Sequence, residues 1–529
     1  MKYFSTRGGE QLLSFEETVL TGLAPDGGLY IPEYIPKLPA NWQEDWKEYS
    51  FQDLSVAVLS LYISPEELTL DALRTLVTKS YSTFRHPDIT PLHKLGDKTY
   101  ILELFHGPTF AFKDVALQLL GNLFEFFLLR RNAKKSAGEA PEKLTVVGAT
   151  SGDTGSAAIY GLRNKANISI YILHPKGRVS PIQEAQMTTV TDANVHNVAV
   201  KGTFDDCQDI VKSLFADKAF NSKHRLGAIN SINWARILAQ TVYYFLAYFH
   251  ARRHLPPSSD LQFVVPTGNF GDILAGYYAK KMGLLMGKLV VATNENDILA
   301  RFWKSGRYEK VESVSGEGAA APANGASDGK QAVGGVKETL SPAMDILVSS
   351  NFERLLWYLA HGDAPSQSRQ ATCQTLKGWM DKVKSDGRVE VPTRVLALAR
   401  EDFLAERISD VQTLDTIRDH YNGSPSYIAD PHTAVGLCAA RIVATHNSAS
   451  TVQIVLSTAH PAKFSEAVTR ALADVSGFNF ERNVLPEEFR GLLTKQRRVI
   501  DVERPEVELV KEVIERYEGE ARGSATASV

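Results

Sequence analysis

The 529-residue chain is poor in cysteine: Cys207, Cys373 and Cys438 are its three, far apart and without a CxxC pair. A disulfide framework and a structural zinc site are therefore not expected, and a reducing compartment suits the chain. It has no excess of one charge. Lys and Arg number 58 against 61 Asp and Glu, a formal net charge of −3, which excludes a polybasic protein built for nucleic acid or a membrane surface. No apolar run approaches the ~18 residues that would suggest a bilayer span; one of the longest is Tyr243–Phe249. The opening MKYFSTRGGEQLLSFEE carries no apolar signal core, so cytoplasmic residence is expected. Walker A and HExxH patterns are absent. With 44% hydrophobic and 22% charged residues, the chain reads as globular, long enough for two or three domains with a sizeable core.

Apolar runs alternate with helical patterns through the middle of the chain. Leu144–Thr150, Ile168–Pro175, Val195–Val200, Leu261–Thr267, the KLVVATN run and Thr451–Thr458 predict buried strands. Helices are expected around Asp205–Phe215, over ILAGYYAKKMG ending at Gly283, and in the long segment carrying Trp234, Ile237, Leu238, Thr241, Phe245 and Tyr248. This rhythm signals βαβ units and a doubly wound α/β fold. The first ~90 residues are less regular and suggest a separate N-terminal unit. Residues 311–336, with six Gly, six Ala and no aromatic residue, read as a disordered insertion. The tail 518–529 reads the same way. A G-x-S-x-G match at Gly325–Gly329 falls in that insertion, away from the strand-to-helix turn the motif needs, and is dismissed. The basic run Arg130–Lys135 is expected to be a solvated connection.

Four segments carry chemistry. In His106-Gly-Pro-Thr-Phe-Ala-Phe-Lys113-Asp114, a lysine precedes a very apolar helix that Asp114 is expected to cap. The helix dipole and the apolar surroundings disfavour the ammonium and lower its pKa. A neutral amine is what a Schiff-base lysine requires; the plain alternative is a lysine snorkelling from a helix start. In Gly148-Ala-Thr-Ser151-Gly152-Asp153-Thr154-Gly155-Ser156, amides and hydroxyls converge between strand and helix, which suits a carboxylate or phosphate. The alternative is a glycine-rich turn that binds nothing. Pro266-Thr267-Gly268-Asn269-Phe270-Gly271-Asp272 repeats that layout, with two glycines allowing close approach of a phosphate; as a dinucleotide loop it is weak, because no acidic residue is clearly placed for a ribose. Ser457-Thr458-Ala-His460-Pro-Ala-Lys463-Phe464 puts hydroxyls at a strand's carboxyl end, where α/β sheets bind ligands. His460 is expected to be structural.

Together and in this order, these segments resemble the threonine synthase family, pyridoxal-phosphate enzymes of the tryptophan-synthase-β-like fold. The likeness runs from Tyr3-Phe-Ser-Thr-Arg7-Gly8 and Leu23–Tyr30 through HGPTFAFKD, GATSGDTGSA, Asn230–Ile237, PTGNFGD and Ser341–Leu356 to Asp430–Gly436 and STAHPAKF. The extra helical segments resemble the fungal or bacterial long form, and the 311–336 insertion departs from the compact family pattern. The resemblance implies a fold-type II α/β enzyme, with doubly wound, mostly parallel sheets in two catalytic subdomains plus an N-terminal domain. Expected bounds are 1–90 and 91–517, with a mobile small subdomain at about 145–220.

The resemblance also implies roles. Lys113 would bind pyridoxal 5'-phosphate covalently. Gly268, Asn269, Phe270, Gly271 and Asp272 would cradle its phosphate, and Thr458 would place a hydroxyl on the pyridine nitrogen, tempering the ring as an electron sink. Ser151, Gly152, Asp153 and Thr154 would grip the substrate α-carboxylate. The implied reaction converts O-phospho-L-homoserine and water to L-threonine and phosphate by γ-elimination and β-addition of water, the last step of threonine biosynthesis. By charge alone, Lys176, Arg178, Arg236 and Lys337 are candidates for the substrate phosphate. No metal, nucleic acid or membrane partner is implied, and a monomer or homodimer is expected. The rivals are a phospholyase releasing 2-oxobutyrate, a threonine dehydratase, and a non-catalytic phosphometabolite sensor, which would not need Lys113.

Overall fold

Strands such as Leu289–Thr293 and Thr451–Ser457 are buried along their whole length, the pattern of a parallel sheet covered on both faces. A computed structural model describes residues 1–8, 10–310 and 335–526, with side chains through Gly519. In it two such sheets form. The larger runs, across its width, Phe403–Arg407, Leu289–Thr293, Asp260–Pro266, Thr451–Ser457, Thr99–Glu103 and Leu92–Lys94. All neighbours are parallel except the last pair. Ile454 at its centre lies opposite Phe263 on one side and Tyr100 on the other. The smaller sheet is parallel throughout, in the order Ile500–Val502, Val195–Val200, Ile168–Pro175, Leu144–Ala149, Leu226–Ala228. The expected doubly wound α/β class, with two sheet units, is the observed one.

Two helices hold the units together. The helix Lys113–Asn132 is buried over most of its first four turns because helices and sheet surround it. It crosses the helix Asp153–Leu162 so closely that a Cβ on Gly121 would overlap the carbonyl of Gly161; only glycine permits that approach. The helix Trp234–Arg252 is buried on every face as far as Phe249, as expected for a helix apolar all round. Asn233 caps it, accepting the Ala235 N–H at 3.1 Å. Trp42 and Trp46 pack edge-on against its Phe245, so the N-terminal residues share one continuous core with it. The strand pair Tyr3–Ser5 and Tyr30–Pro32 is antiparallel.

Several expectations meet differences. Short strands that periodicity did not mark, Thr99–Glu103, Leu226–Ala228, Phe403–Arg407 and Ile500–Val502, complete the sheets. The C-terminal helix Val507–Thr526 runs through most of the stretch expected to be a disordered tail. Glu518 bonds to the Tyr171 hydroxyl at 3.3 Å and Tyr517 packs on His196, and such tertiary packing outweighs a polar, glycine-containing composition. Residues 311–334 of the insertion, including the G-x-S-x-G match, lie outside the described residues. The basic run is not simply solvated: Arg130 and Arg131 both pair with Glu16 of the N-terminal segment. Among the described residues no helix is long and apolar enough to cross a membrane.

Candidate active site

Three of the four chemical segments emerge from the carboxyl ends of neighbouring parallel strands. Thr99–Glu103 leads into His106–Lys113, Thr451–Ser457 ends at Thr458, and Asp260–Pro266 ends at the Gly268 loop. Lys113 and Thr458 are locked together by the backbone: the Phe112 N–H donates to the Thr458 carbonyl at 2.8 Å, and Ala111 bridges Ala459. The fourth segment, Ser151–Thr154, comes from the smaller sheet and starts the helix Asp153–Leu162. It reaches the others through ion pairing. Asp153 meets Lys463 at 2.8 Å, and the Lys463 ammonium donates to the Thr109 carbonyl at 2.9 Å.

Lys113 is only partly exposed, and burial of its amine is the main reason its pKa falls to about 8. The Asp153 carboxylate pulls it upward, while the charges of Lys463 and Arg236 push it further down. Asp153 shows the opposite balance. Burial works to raise its carboxyl, but Lys463 and Lys113 outweigh it and hold Asp153 well below the usual carboxylate range. It also accepts from Gln183 Nε2 at 2.8 Å. Asp114 does not cap its helix as expected. It lies within the first turn, where its carboxylate accepts the Thr109 N–H and hydroxyl, each at 2.7 Å, so it clamps the turn that delivers Lys113. Burial raises Asp114 to about 6.

The Gly268 loop is built for close approach. Phe270 takes φ 62° just before the helix Gly271–Met282, and a Cβ on Gly268 would stand 2.9 Å from the Ala343 carbonyl. Ser349 donates to the Gly268 carbonyl at 2.7 Å, Ser350 to Asn269 Oδ1 at 3.1 Å, and Asn351 Nδ2 to the Asn269 carbonyl at 3.0 Å. Asp272, expected to belong to the phosphate cradle, turns away from it: its carboxyl accepts the hydroxyls of Tyr243 and Tyr244 on the neighbouring helix. Burial raises it to about 7. A carboxyl bonded to both tyrosines fits as a brace between helices.

Thr458 stands on a polar support that the sequence did not reveal. Its N–H reaches the Thr433 hydroxyl at 3.3 Å, which also meets Ser457 at 2.9 Å and bonds to Asp430. Asp430 meets His432 Nδ1 at 2.8 Å, and His432 Nε2 accepts the Ala343 N–H at 3.1 Å. That geometry assigns the proton to Nδ1. The 430–436 and 341–356 segments thus brace Thr458 and the Gly268 loop respectively. His460 is structural, as expected: it packs on Phe105 and Phe110 and accepts the Ala462 N–H at 3.2 Å, and burial lowers it to about 4.

Of the four phosphate candidates, Lys176 is paired with Asp501 on the surface, Lys337 is paired with Glu295, and Arg178 is exposed. Arg236 alone among them is buried, at 4% exposure. Lys463 and Asp430 received no role from the sequence. Both lay inside quoted motifs, but nothing local marks a lysine that will be wholly buried against an aspartate 310 positions earlier.

The fold and this site define a class, an α/β enzyme that uses pyridoxal phosphate. The family model described as "Pyridoxal-phosphate dependent enzyme" matches residues 84–348. On either side, "Threonine synthase N terminus" matches residues 2–81 and "Threonine synthase, C-terminal" matches 433–514. The threonine synthase of Schizosaccharomyces pombe is 56% identical over 517 residues, covering 97% of this chain and 98% of that protein. The crystal structure of threonine synthase from yeast superposes with a TM-score of 0.90 at 52% identity, covering 98% of this chain and 99% of that one. The PLP-bound threonine synthase from Brucella melitensis gives 0.84 at 39%, with the same coverage. The chain belongs to the threonine synthase family.

Proposed function

We propose that this chain is a threonine synthase, converting O-phospho-L-homoserine and water to L-threonine and phosphate. The observation that carries the reading is a lysine amine of lowered pKa, Lys113, held beside the hydroxyl-bearing strand end at Thr458, with the Gly268 loop leaving the next strand of the same sheet. These groups fit pyridoxal phosphate. Lys113 would hold it covalently, Gly268, Asn269, Phe270 and Gly271 would take its phosphate at a helix N-terminus, and the Thr458 hydroxyl would meet its ring nitrogen. When bound, the cofactor supplies a sink for the negative charge that develops on the substrate carbons.

The chain's own residues do the rest. Ser151, Gly152 and Thr154, at a helix start, bind the substrate carboxylate. Asp153, already occupied by Lys463 and Gln183, positions that helix and is not a carboxylate ligand. The Lys113 amine, substantially neutral near pH 8, takes the α-proton and later moves a proton at Cβ. Phosphate leaves from Cγ and water adds at Cβ. Closure of the Ser151–Thr154 segment over the ligand excludes stray water before phosphate departs. The domain division at 1–90 and 91–517, with a mobile small unit at about 145–220, accompanies this reading.

The test is to incubate the purified protein with O-phospho-L-homoserine and identify the organic product. L-threonine with equimolar phosphate is expected, and Lys113→Ala should abolish turnover. Production of 2-oxobutyrate instead would assign the phospholyase activity, and no turnover with intact ligand binding would leave a sensor.

A further inference from the structure

Asp430 is wholly buried and stands just ahead of the helix Pro431–Ala444, where it accepts the backbone N–H groups of His432 at 2.9 Å and Thr433 at 3.3 Å. That is an ordinary helix cap, which aspartate and asparagine serve about equally well. The carboxylate also makes contacts that a cap does not require. Each oxygen takes a side chain in addition to an N–H: one takes His432 Nδ1 at 2.8 Å, the other takes the Thr433 hydroxyl. Burying a carboxylate is costly, and these donors offset the water it has lost.

The two side chains lead to two different strand ends. His432 Nε2 accepts the Ala343 N–H at 3.1 Å. The backbone at Ala343 and Met344 is the wall behind Gly268, where an added Cβ would stand 2.9 Å from the Ala343 carbonyl and 3.0 Å from Met344 Cα. The Thr433 hydroxyl meets the Thr458 N–H at 3.3 Å, and the Thr458 carbonyl takes the Phe112 N–H, beside Lys113, at 2.8 Å. The helix is seated to serve both. It lies against the strands Asp260–Pro266 and Thr451–Ser457, so closely that a Cβ on Gly436 would stand 3.0 Å from Pro266 Cγ and 2.9 Å from Val455 Cγ1. Those strands end at the Gly268 loop and at Thr458.

We propose that Asp430 is a positioning residue that sets the spacing of the cofactor site. Through His432 it holds the wall of the loop that takes the phosphate, and through Thr433 it holds the residue that meets the ring nitrogen. The inference rests on the cofactor placement proposed above and not on the reaction that follows it. A carboxylate suits the task because both of its oxygens accept, whereas an asparagine has one accepting oxygen and would turn an amide nitrogen toward a donor. Groups that must meet a cofactor keep their geometry only when their own supports are fixed.

The experiment strips the full chain of cofactor and titrates it with pyridoxal phosphate or with pyridoxal, followed by absorbance, as wild type, Asp430→Asn, His432→Phe, Thr433→Val and Thr433→Ser. His432→Phe should weaken pyridoxal phosphate about tenfold, the scale of one lost buried hydrogen bond, and leave pyridoxal within about twofold. Thr433→Val should weaken both ligands alike and shift the absorbance maximum of the bound cofactor. Thr433→Ser keeps the hydroxyl and should restore both affinities and the maximum. Asp430→Asn keeps the cap and should show the two signatures together. Affinities within about twofold of wild type in Asp430→Asn, with an unshifted maximum, overturn the proposal and leave a helix cap. So does an equal loss of both ligands without a spectral shift in His432→Phe and Thr433→Val alike, the mark of a general loosening. If Asp430→Asn does not fold, the His432 and Thr433 variants decide: separate signatures uphold the proposal, and a shared signature or none overturns it. A wild type that captures no pyridoxal phosphate would remove the cofactor placement and this inference with it. Capture by the wild type with variants that do not separate removes the inference alone.

Discussion

Lys113 and Asp272 are buried ionisable groups that move in opposite chemical senses from the same cause. For Lys113 the folded chain releases a proton at about 8, where a free lysine holds it to about 10.4. The neutral amine is the form that captures an aldehyde. Capture of pyridoxal phosphate by the stripped protein, followed by absorbance, should therefore accelerate with pH to a plateau with its midpoint near 8; a midpoint above about 9.5 would remove the basis for burial tuning. For Asp272 the sign is reversed. An unfolded aspartate loses its proton near pH 4, while the folded chain keeps it to about 7. Between those values the folded state binds more protons, so stability falls as pH rises. Asp272→Asn retains hydrogen-bonding capacity and should be relatively more stable than wild type at pH 7.5 than at pH 5, measured by urea unfolding of both proteins. A difference that does not change with pH would place the proton elsewhere.

The segment Ser151–Thr154 and the helix it opens are tied to the larger sheet's unit by the Asp153–Lys463 pair. Lys463 is wholly buried, so Asp153→Asn leaves an uncompensated ammonium and should cost about 3–5 kcal/mol. Lys463→Met combined with Asp153→Leu should recover much of that loss, a result readable as a double-mutant cycle in denaturant. If the pair also latches closure, hydrogen exchange across 145–220 should slow when a substrate analogue binds, and no change would count against a closing unit. The helices, strands and turns here were largely legible in the sequence. Leu144–Thr150, Ile168–Pro175 and the Trp234 helix announced themselves by periodicity, and the Gly268 turn by its glycines. Short strands at the sheet edges, Leu226–Ala228, Phe403–Arg407 and Ile500–Val502, did not, because three to five residues carry too little periodicity and owe their conformation to a neighbour's hydrogen bonds.

The N-terminal segment, the two sheet units and the C-terminal helix are held by contacts between distant parts of the chain. Glu353 takes Arg7 at 2.9 and 2.6 Å and Thr6 at 2.6 Å. Arg130 and Arg131 take Glu16, and Trp42 and Trp46 enter the core around Phe245. Because that core is continuous from the first residues to the Trp234 helix, the N-terminal segment should not melt separately from it. Trp42→Ala should lower stability by about 3–5 kcal/mol and shift far-ultraviolet dichroism and active-site fluorescence transitions together. An early, separate loss of N-terminal structure would show an independent unit. From residue order alone one obtains the α/β rhythm, the glycine turns and the Lys113 segment, since backbone preference and motif spacing are local properties. Folding in three dimensions settled the rest. It matched Asp153 with Lys463, turned Asp272 toward two tyrosines, and buried Arg236 alone among four charge-equivalent candidates. Burial and charge pairing depend on side chains that meet only when the sheets and helices have packed.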